Sequence, residues 1–333
     1  METTGIVLPG DDAVRSDVPV QWWYWTGHLE TRDGRRFGFE QCFFAIDAAA
    51  DFFGSALDDE FLRDALSRNV EGFQVAHCAL TDVAGQAFHS RVDYVLGMPR
   101  PCDNGFDLGT KWPVADKVTA SGGDGSDRLH GEVGGCVFDL ELINSPDHPP
   151  VLHYGGRRHD FAFGGFVYYY SRPHMNATGT VTVDGETLEV SGVAWFDREF
   201  GVLGQLAKQS WQWFAIELND GRQIMVADIN GYPSEGFCTL INGAETQVLR
   251  GADAYRVDIL DHWQSPHTHI VYPSKWRLTC GPDQYVVTPL VADQELEHPW
   301  QSPKYWEGAA SVSGSDGQTI GRAYVELAGY KAQ

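Results

Sequence analysis

The sequence predicts a mostly β protein of two consecutive units, and three observations carry that prediction. Eight Asp-Gly or Asn-Gly pairs punctuate the chain, at 33–34, 104–105, 124–125, 184–185, 220–221, 230–231, 242–243 and 316–317. Such pairs supply the positive φ angles of tight hairpin turns. Several are flanked by alternating β-branched and aromatic residues, as in Gly179–Val190 around Asp184-Gly185, the pattern of a pleated, half-buried strand. The chain also echoes itself. Trp22–Arg35 and Trp211–Arg222 both read as an aromatic strand, an Asp-Gly-Arg turn and a return strand. Asp184-Gly185 leading to Gly192–Asp197 resembles Asp316-Gly317 leading to Gly321–Glu326. A duplication with units 15–205 and 206–333 accounts for both echoes.

In chain order, Met1–Pro19 is acidic and has no apolar stretch, so no signal peptide is expected there. The aromatic hairpin beginning at Trp22 follows. Leu57, Phe61, Leu62, Ala65 and Leu66 then fall at helical spacing with Asp, Glu and Arg between them, predicting one amphipathic flanking helix over 55–69. The Gly-rich segment 121–127 and the segment 144–150 read as loops. Hairpins fill the rest.

Composition removes whole classes of function. There are 24 Lys and Arg against 46 Asp and Glu, a net charge of −22. A field of that sign repels phosphate backbones and anionic lipid, so no nucleic acid partner is expected. No run of about 18 apolar residues exists, so no transmembrane helix is expected. The six cysteines form no C-x-x-C pair, which leaves a reduced, cytoplasmic protein as the expectation. Phosphate-loop, zinc-protease and α/β-hydrolase motifs are missing. His267 and His269 are two apart and would share a face in a strand, but nothing obvious joins them as a ligand. Neither a metal nor an organic cofactor is expected.

What remains is aromatic. The 11 Trp, 13 Tyr and 18 Phe cluster at Trp22-Trp23-Tyr24-Trp25, Tyr168-Tyr169-Tyr170, Trp211-x-Trp213 and Tyr305-Trp306. Alternation makes a run of four line both faces of its strand. In a barrel with room inside, one of those faces makes an aromatic pocket for a long apolar ligand. Among these aromatics, Trp195, Asp197 and Glu199 point one way while Phe196 and Arg198 point the other. Two carboxylates about 7 Å apart on one face raise a pKa if the face is dry. The resulting acid can protonate an alkene or a carbonyl. Tyr168, Tyr170 and Arg172 likewise share a face. The alternative reading places Asp197 and Glu199 on a rim, paired with Arg172 or Arg198.

Five segments in order, Gln21–Gly27, Ala76–Asp82, Tyr169–Met175, Gly192–Gly201 and Tyr305–Gly308, resemble the lipocalin-like AttH family. That family includes the carotenoid 1,2-hydratases (hydroxyneurosporene synthases), and the decalin-forming Diels–Alderases share its fold. The resemblance runs over about 18–330. It implies two lipocalin-like barrels packed together, no cofactor, and a pocket within or between them for a hydrophobic, often polyene, substrate. Gln21 stands where the family commonly has Glu, and Phe200 where Trp is usual. Tyr168 and Tyr170 occupy positions where a carotenoid hydratase is expected to carry His and Trp.

These readings combine into one expectation. The protein is an enzyme that cyclises, isomerises or hydrates an apolar polyene or terpenoid by proton transfer. Asp197 is the acid, tuned by Glu199 or Arg172. Trp23, Trp25, Tyr168, Tyr170, Trp195, Trp211 and Trp213 supply cation-stabilising faces, and His77 and Trp306, from the family segments, complete the substrate-binding set. A pericyclase needing no acid and a carrier that changes nothing are the alternatives. The expected partner is an apolar small molecule, with room for a homodimer.

Overall fold

A computed structural model of the protein describes residues 5–47, 71–109, 117–296 and 304–332. The protein is all-β, in two curled antiparallel sheets. The first contains β1 (Val20–Thr31), β2 (Arg36–Asp47), β3 (Gly72–Asp82), β4 (Ala87–Leu96), β5 (Phe106–Gly109), β6 (Val118–Gly123), β7 (Ser126–Val133), β8 (Cys136–Asn144), β9 (Val151–Leu152), β10 (His159–Asp160), β11 (Phe166–Val183) and β12 (Glu186–Val202). The second contains β13 (Trp211–Leu218), β14 (Gln223–Ile229), β15 (Phe237–Asn242), β16 (Glu245–Leu249), β17 (Tyr255–Gln264), β18 (Val271–Cys280), β19 (Asp283–Pro289), β20 (Tyr305–Ser313) and β21 (Thr319–Ala328).

All eight Asp-Gly and Asn-Gly pairs fall at junctions between strands. At the β11–β12 hairpin, Asp184 and Gly185 take φ of 52° and 80°, the conformation that admits a two-residue turn matched to the strand twist. The expected loop over 121–127 is instead the end of β6, a turn at Asp124-Gly125 and the start of β7; its glycines extend the strand in place of interrupting it. The segment 145–150 is a loop as expected. The helix expected over 55–69 lies outside the described residues. Among those described, only three short 3-10 turns depart from strand and loop.

The two sheets repeat one plan. The first runs β4-β3-β2-β1-β12-β11-β8-β7-β6-β5 and the second β16-β15-β14-β13-β21-β20-β19-β18-β17. In each, the opening aromatic strand pairs with its hairpin partner on one side and with the last strand on the other. The registers correspond as well. Tyr24 stands opposite Asp197 in the first sheet, and Trp213 opposite Glu326 in the second.

Three cores result. One fills the curl of the first sheet with Trp23, Trp25, Phe39, Phe138, Tyr170 and Phe196. Another fills the curl of the second with Phe214, Tyr272, Trp276 and Trp306. The third joins the outer faces of the two sheets and includes Tyr24, Tyr169, Trp195, Trp213 and Tyr305. The sheets approach closely at Gly38, where a Cβ would stand 2.5 Å from the Cβ of Ala309, so any larger residue would push β2 from β20. Polar links cross the same interface: Tyr24 Oη donates to Glu307 at 2.8 Å, Thr81 Oγ1 to Gln294 at 2.7 Å, and Arg322 pairs with Glu30 at 2.7 Å.

Candidate active site

Between the sheets lies a cavity of about 1010 Å³ including its open mouth, walled by Trp22, Tyr24, Phe44, Tyr169, Trp211, Trp213 and Tyr305. Strand alternation explains its aromatic character. Trp22 and Tyr24 of β1 face the second sheet, while Trp23 and Trp25 turn into the core of the first. Asp197, Glu199, Glu307 and Glu326 reach the same cavity, with Asp228 and Glu235 completing its acidic lining. No Lys or Arg lines it among the described residues.

Asp197 is the best-held of these acids. It is 3% exposed and accepts three hydrogen bonds, from Tyr169 Oη at 2.6 Å, Ser171 Oγ at 2.5 Å and Trp195 Nε1 at 2.7 Å. Burial pushes its pKa up to about 7, and the three donors hold it from rising further. Ser171 continues the chain to His153, whose Nε2 lies 2.8 Å from the hydroxyl. Burial, assisted by Arg250, depresses that imidazole to about 3, so it is neutral; because Ser171 gives its one hydrogen to Asp197, Nε2–H is the donor to the Ser171 oxygen. Trp213 Nε1 in turn donates to Tyr169 Oη at 3.2 Å, tying the network to the second sheet.

The other acids are less supported. Glu326 accepts one bond, from Trp211 Nε1 at 2.9 Å, and is pushed up to about 8 by burial, opposed by that bond and reinforced by Asp197. Burial raises Glu199 and Glu307 as well, reinforced by neighbouring carboxylates. Glu40, fully buried on β2, has no partner for either oxygen among the described residues. Burial, then the charge of Glu326, raises it too. The site is an apolar, aromatic chamber with several carboxyl groups disposed to hold protons near neutral pH.

The residues singled out in the sequence divide by face. Asp197, Glu199, His77, Trp211 and Trp213 line the cavity. His77 sits edge-on to Phe44 and Tyr305, with centroids 5.2 Å away in each case. Trp195 stands beside it, bonded to Asp197 and edge-on to Trp213. Arg172, Trp23, Trp25 and Tyr170 do share faces as alternation requires, but theirs is the opposite face and they lie away from the cavity. Arg172 forms a buried two-pronged pair with Asp12 at 2.8 and 2.9 Å, and Tyr170 Oη also donates to Asp12. Trp23 and Trp25 donate to the Asp12 carbonyl and to Asp127. Arg172, Tyr170 and Trp23 fasten the N-terminal turn into the first curl, and Trp25 ties β1 to β7. Tyr168 is half-exposed and stacks on Phe200, and Trp306 belongs to the second core. Arg198, the other suggested partner of Asp197, packs 3.8 Å over the face of Trp23 on that opposite side.

Sequence reasoning passed over Tyr24, Tyr169, Ser171, His153, Glu307 and Glu326. Signals existed for some. Glu326 ends the segment that echoes Gly192–Asp197, and Tyr169 and Glu307 fall within the family segments. His153 carried none, because only folding brings it to Ser171.

Among the described residues no group of three or more His, Cys, Asp or Glu side chains could hold a metal ion, and no helix is long and apolar enough to cross a membrane. The AttH-like family model matches residues 1–330. A crystal structure described as an AttH from Nitrosomonas europaea is 26% identical, covering 99% of this chain and 98% of its own, with a TM-score of 0.80. Kievitone hydratase from Nectria haematococca shares the fold at 16% identity, covering 98% of this chain and 94% of its own, with a TM-score of 0.71. A search of curated proteins found no match. With its model matching nearly the whole length, the chain belongs to the AttH-like family.

Proposed function

We propose that the protein is a cofactor-independent enzyme that protonates a carbon–carbon double bond of a neutral, apolar polyene or terpenoid and hydrates, isomerises or cyclises the resulting cation. The observation that carries this reading is Asp197, a buried carboxyl with a pKa near 7 that reaches an aromatic cavity. A carboxyl ionised at neutral pH cannot start such a reaction, and one locked protonated by many units gives its proton up too reluctantly. The O–H bond of Asp197 breaks as its proton bonds one alkene carbon. The neighbouring carbon is left cationic, facing Trp211, Trp213, Tyr24 and Tyr169, whose π faces stabilise positive charge by about 1–2 kcal/mol each once water is excluded. The carboxylate left behind keeps its three donors, so the charge does not require the site to rearrange. A kievitone hydratase among the structural neighbours is compatible with hydration as one outcome.

The test is a panel of neutral isoprenoid alcohols and prenylated phenols, incubated with the protein and followed by mass spectrometry. A product heavier by one water indicates hydration, and an isomer of unchanged mass indicates rearrangement or cyclisation. Ligands that quench tryptophan fluorescence yet emerge unchanged throughout would make the protein a carrier.

A further inference from the structure

The mechanism above uses one carboxyl of the cavity, yet the cation it creates must still lose or share a proton. The repeated plan of the fold points to where that proton goes. Asp197 lies on the last strand of the first sheet, opposite Tyr24 of the opening strand. Glu326 lies on the last strand of the second sheet, opposite Trp213 of its opening strand. The two residues therefore hold equivalent positions in the two halves, and both line the one cavity between them.

We propose that Glu326 is the second proton-transfer group of the site, the base that takes a proton from the cation or from the water that attacks it. This rests on the reading of Asp197 given above. Hydrogen bonding sets the direction. Three donors converge on Asp197 and favour its carboxylate, which makes it the stronger acid of the two. Glu326 has a single indole donor on Oε1, and no donor bonds its Oε2 among the described residues, which makes it the stronger base. Other titratable groups in the cavity wall are Glu199 from β12, Glu307 and Tyr305 from β20, Asp228 from β14, His77 from β3, Cys42 from β2, Tyr24 and Tyr169 from β1 and β11, and Tyr154 and Glu235 from the connecting segments. Glu40 from β2 feels the charge of Glu326 and itself raises Glu307. No Lys or Arg lines the cavity among the described residues to hold Glu326 permanently ionised.

The reacting state is the one in which the pair carries a single proton, held on Asp197 while Glu326 is ionised, the minor of the two singly protonated forms because Glu326 is the stronger base. Asp197 gives that proton to carbon. Next, a C–H bond beside the cation breaks and its electron pair closes a new double bond, or a water oxygen adds and one of its O–H bonds breaks. In either case the released proton bonds the carboxylate of Glu326. One proton has then moved from Asp197 to Glu326, and exchange with water at the open mouth restores the starting state.

A tertiary ammonium mimics the cation, so the test compares N,N-dimethyldodecylamine with dodecanol by calorimetry. Wild type should prefer the amine, and Glu326→Gln should lose about tenfold in amine affinity while binding dodecanol within about twofold of wild type. Asp197→Asn should behave alike. If wild type shows no preference for the amine, the underlying reading of the cavity fails. If wild type prefers the amine and folded Glu326→Gln keeps that whole preference, the role of Glu326 alone is overturned. Glu326→Asp, which retracts the carboxyl but keeps its charge, replaces the Gln variant if that one does not fold, with the same loss expected.

Discussion

Trp195 Nε1 donates to Asp197 Oδ1 at 2.7 Å, a bond between residues two apart on one strand. Period-two alternation puts both on one face, and the ring of Trp195 is fixed edge-on against Trp213 of the other sheet at 5.9 Å. The acid is thus oriented by a side chain that is itself held by the packing of the two sheets. Such an arrangement keeps a proton donor aimed into the cavity without a loop to position it.

Replacing Asp197 by Asn should reduce turnover by roughly 10²–10⁴-fold, the range for loss of a general acid. The melting temperature should stay near wild type, because no buried cation is left unpaired. Trp195→Phe removes a donor that favours the carboxylate, so it should move the high-pH limb of the rate profile upward.

Arg172 should matter for stability and not for catalysis. Its guanidinium is 2% exposed and paired with fully buried Asp12, so Arg172→Met leaves a carboxylate buried without its cation, at a cost of about 3–5 kcal/mol. Urea unfolding should show that loss, while the folded fraction turns over at the wild-type rate. A large fall in kcat with unchanged stability would return Arg172 to the active site.

Stability should decline as pH rises. Asp197 and Glu326 have folded pKa values raised to about 7 and about 8, and burial also raises Glu40, Glu199 and Glu307. The folded state holds these protons where the unfolded chain has released them. Their stabilisation is therefore complete below about pH 4 and is lost as pH rises through the folded values. Thermal melts should show a falling midpoint from about pH 5 to pH 8.5, and Glu40→Gln should flatten that slope. A midpoint that climbs over this range would refute the protonated cavity.

Ligand choice should follow the lining. Six carboxyl groups and no Lys or Arg among the described residues face the cavity, so an ionised tail meets no counter-charge there. Farnesol should quench the fluorescence of Trp22, Trp211 and Trp213, and farnesoic acid at pH 8 should bind at least about tenfold more weakly. Equal affinity would show that the acid tail never enters.

Much of this was legible in the chain. Each Asp-Gly or Asn-Gly pair marked a strand junction, and alternation sorted Trp195, Asp197 and Glu199 from Phe196 and Arg198 correctly. What alternation could not supply is which face meets what. The cavity lies between the outer faces of the sheets, so Trp23, Trp25, Tyr170 and Arg172, aromatic and polar in the expected pattern, went to the core of the first curl instead. His153 and Ser171 meet only because β9 and the turn after it fold onto β11, a contact with no local signature. Glu326 was marked in the sequence by its echo of Asp197, but a repeat shows equivalence of position and not that both copies look into one chamber.

If Asp197 starts the reaction, a solvent-derived proton enters the substrate at carbon, and turnover in D₂O reads that proton out. Wild type near pH 7 should give a product with carbon-bound deuterium, and folded Asp197→Asn should give almost none. Product formed without carbon-bound deuterium, at the same rate in both proteins, would remove Asp197 from the chemistry and indicate a reaction driven by the shape of the cavity alone.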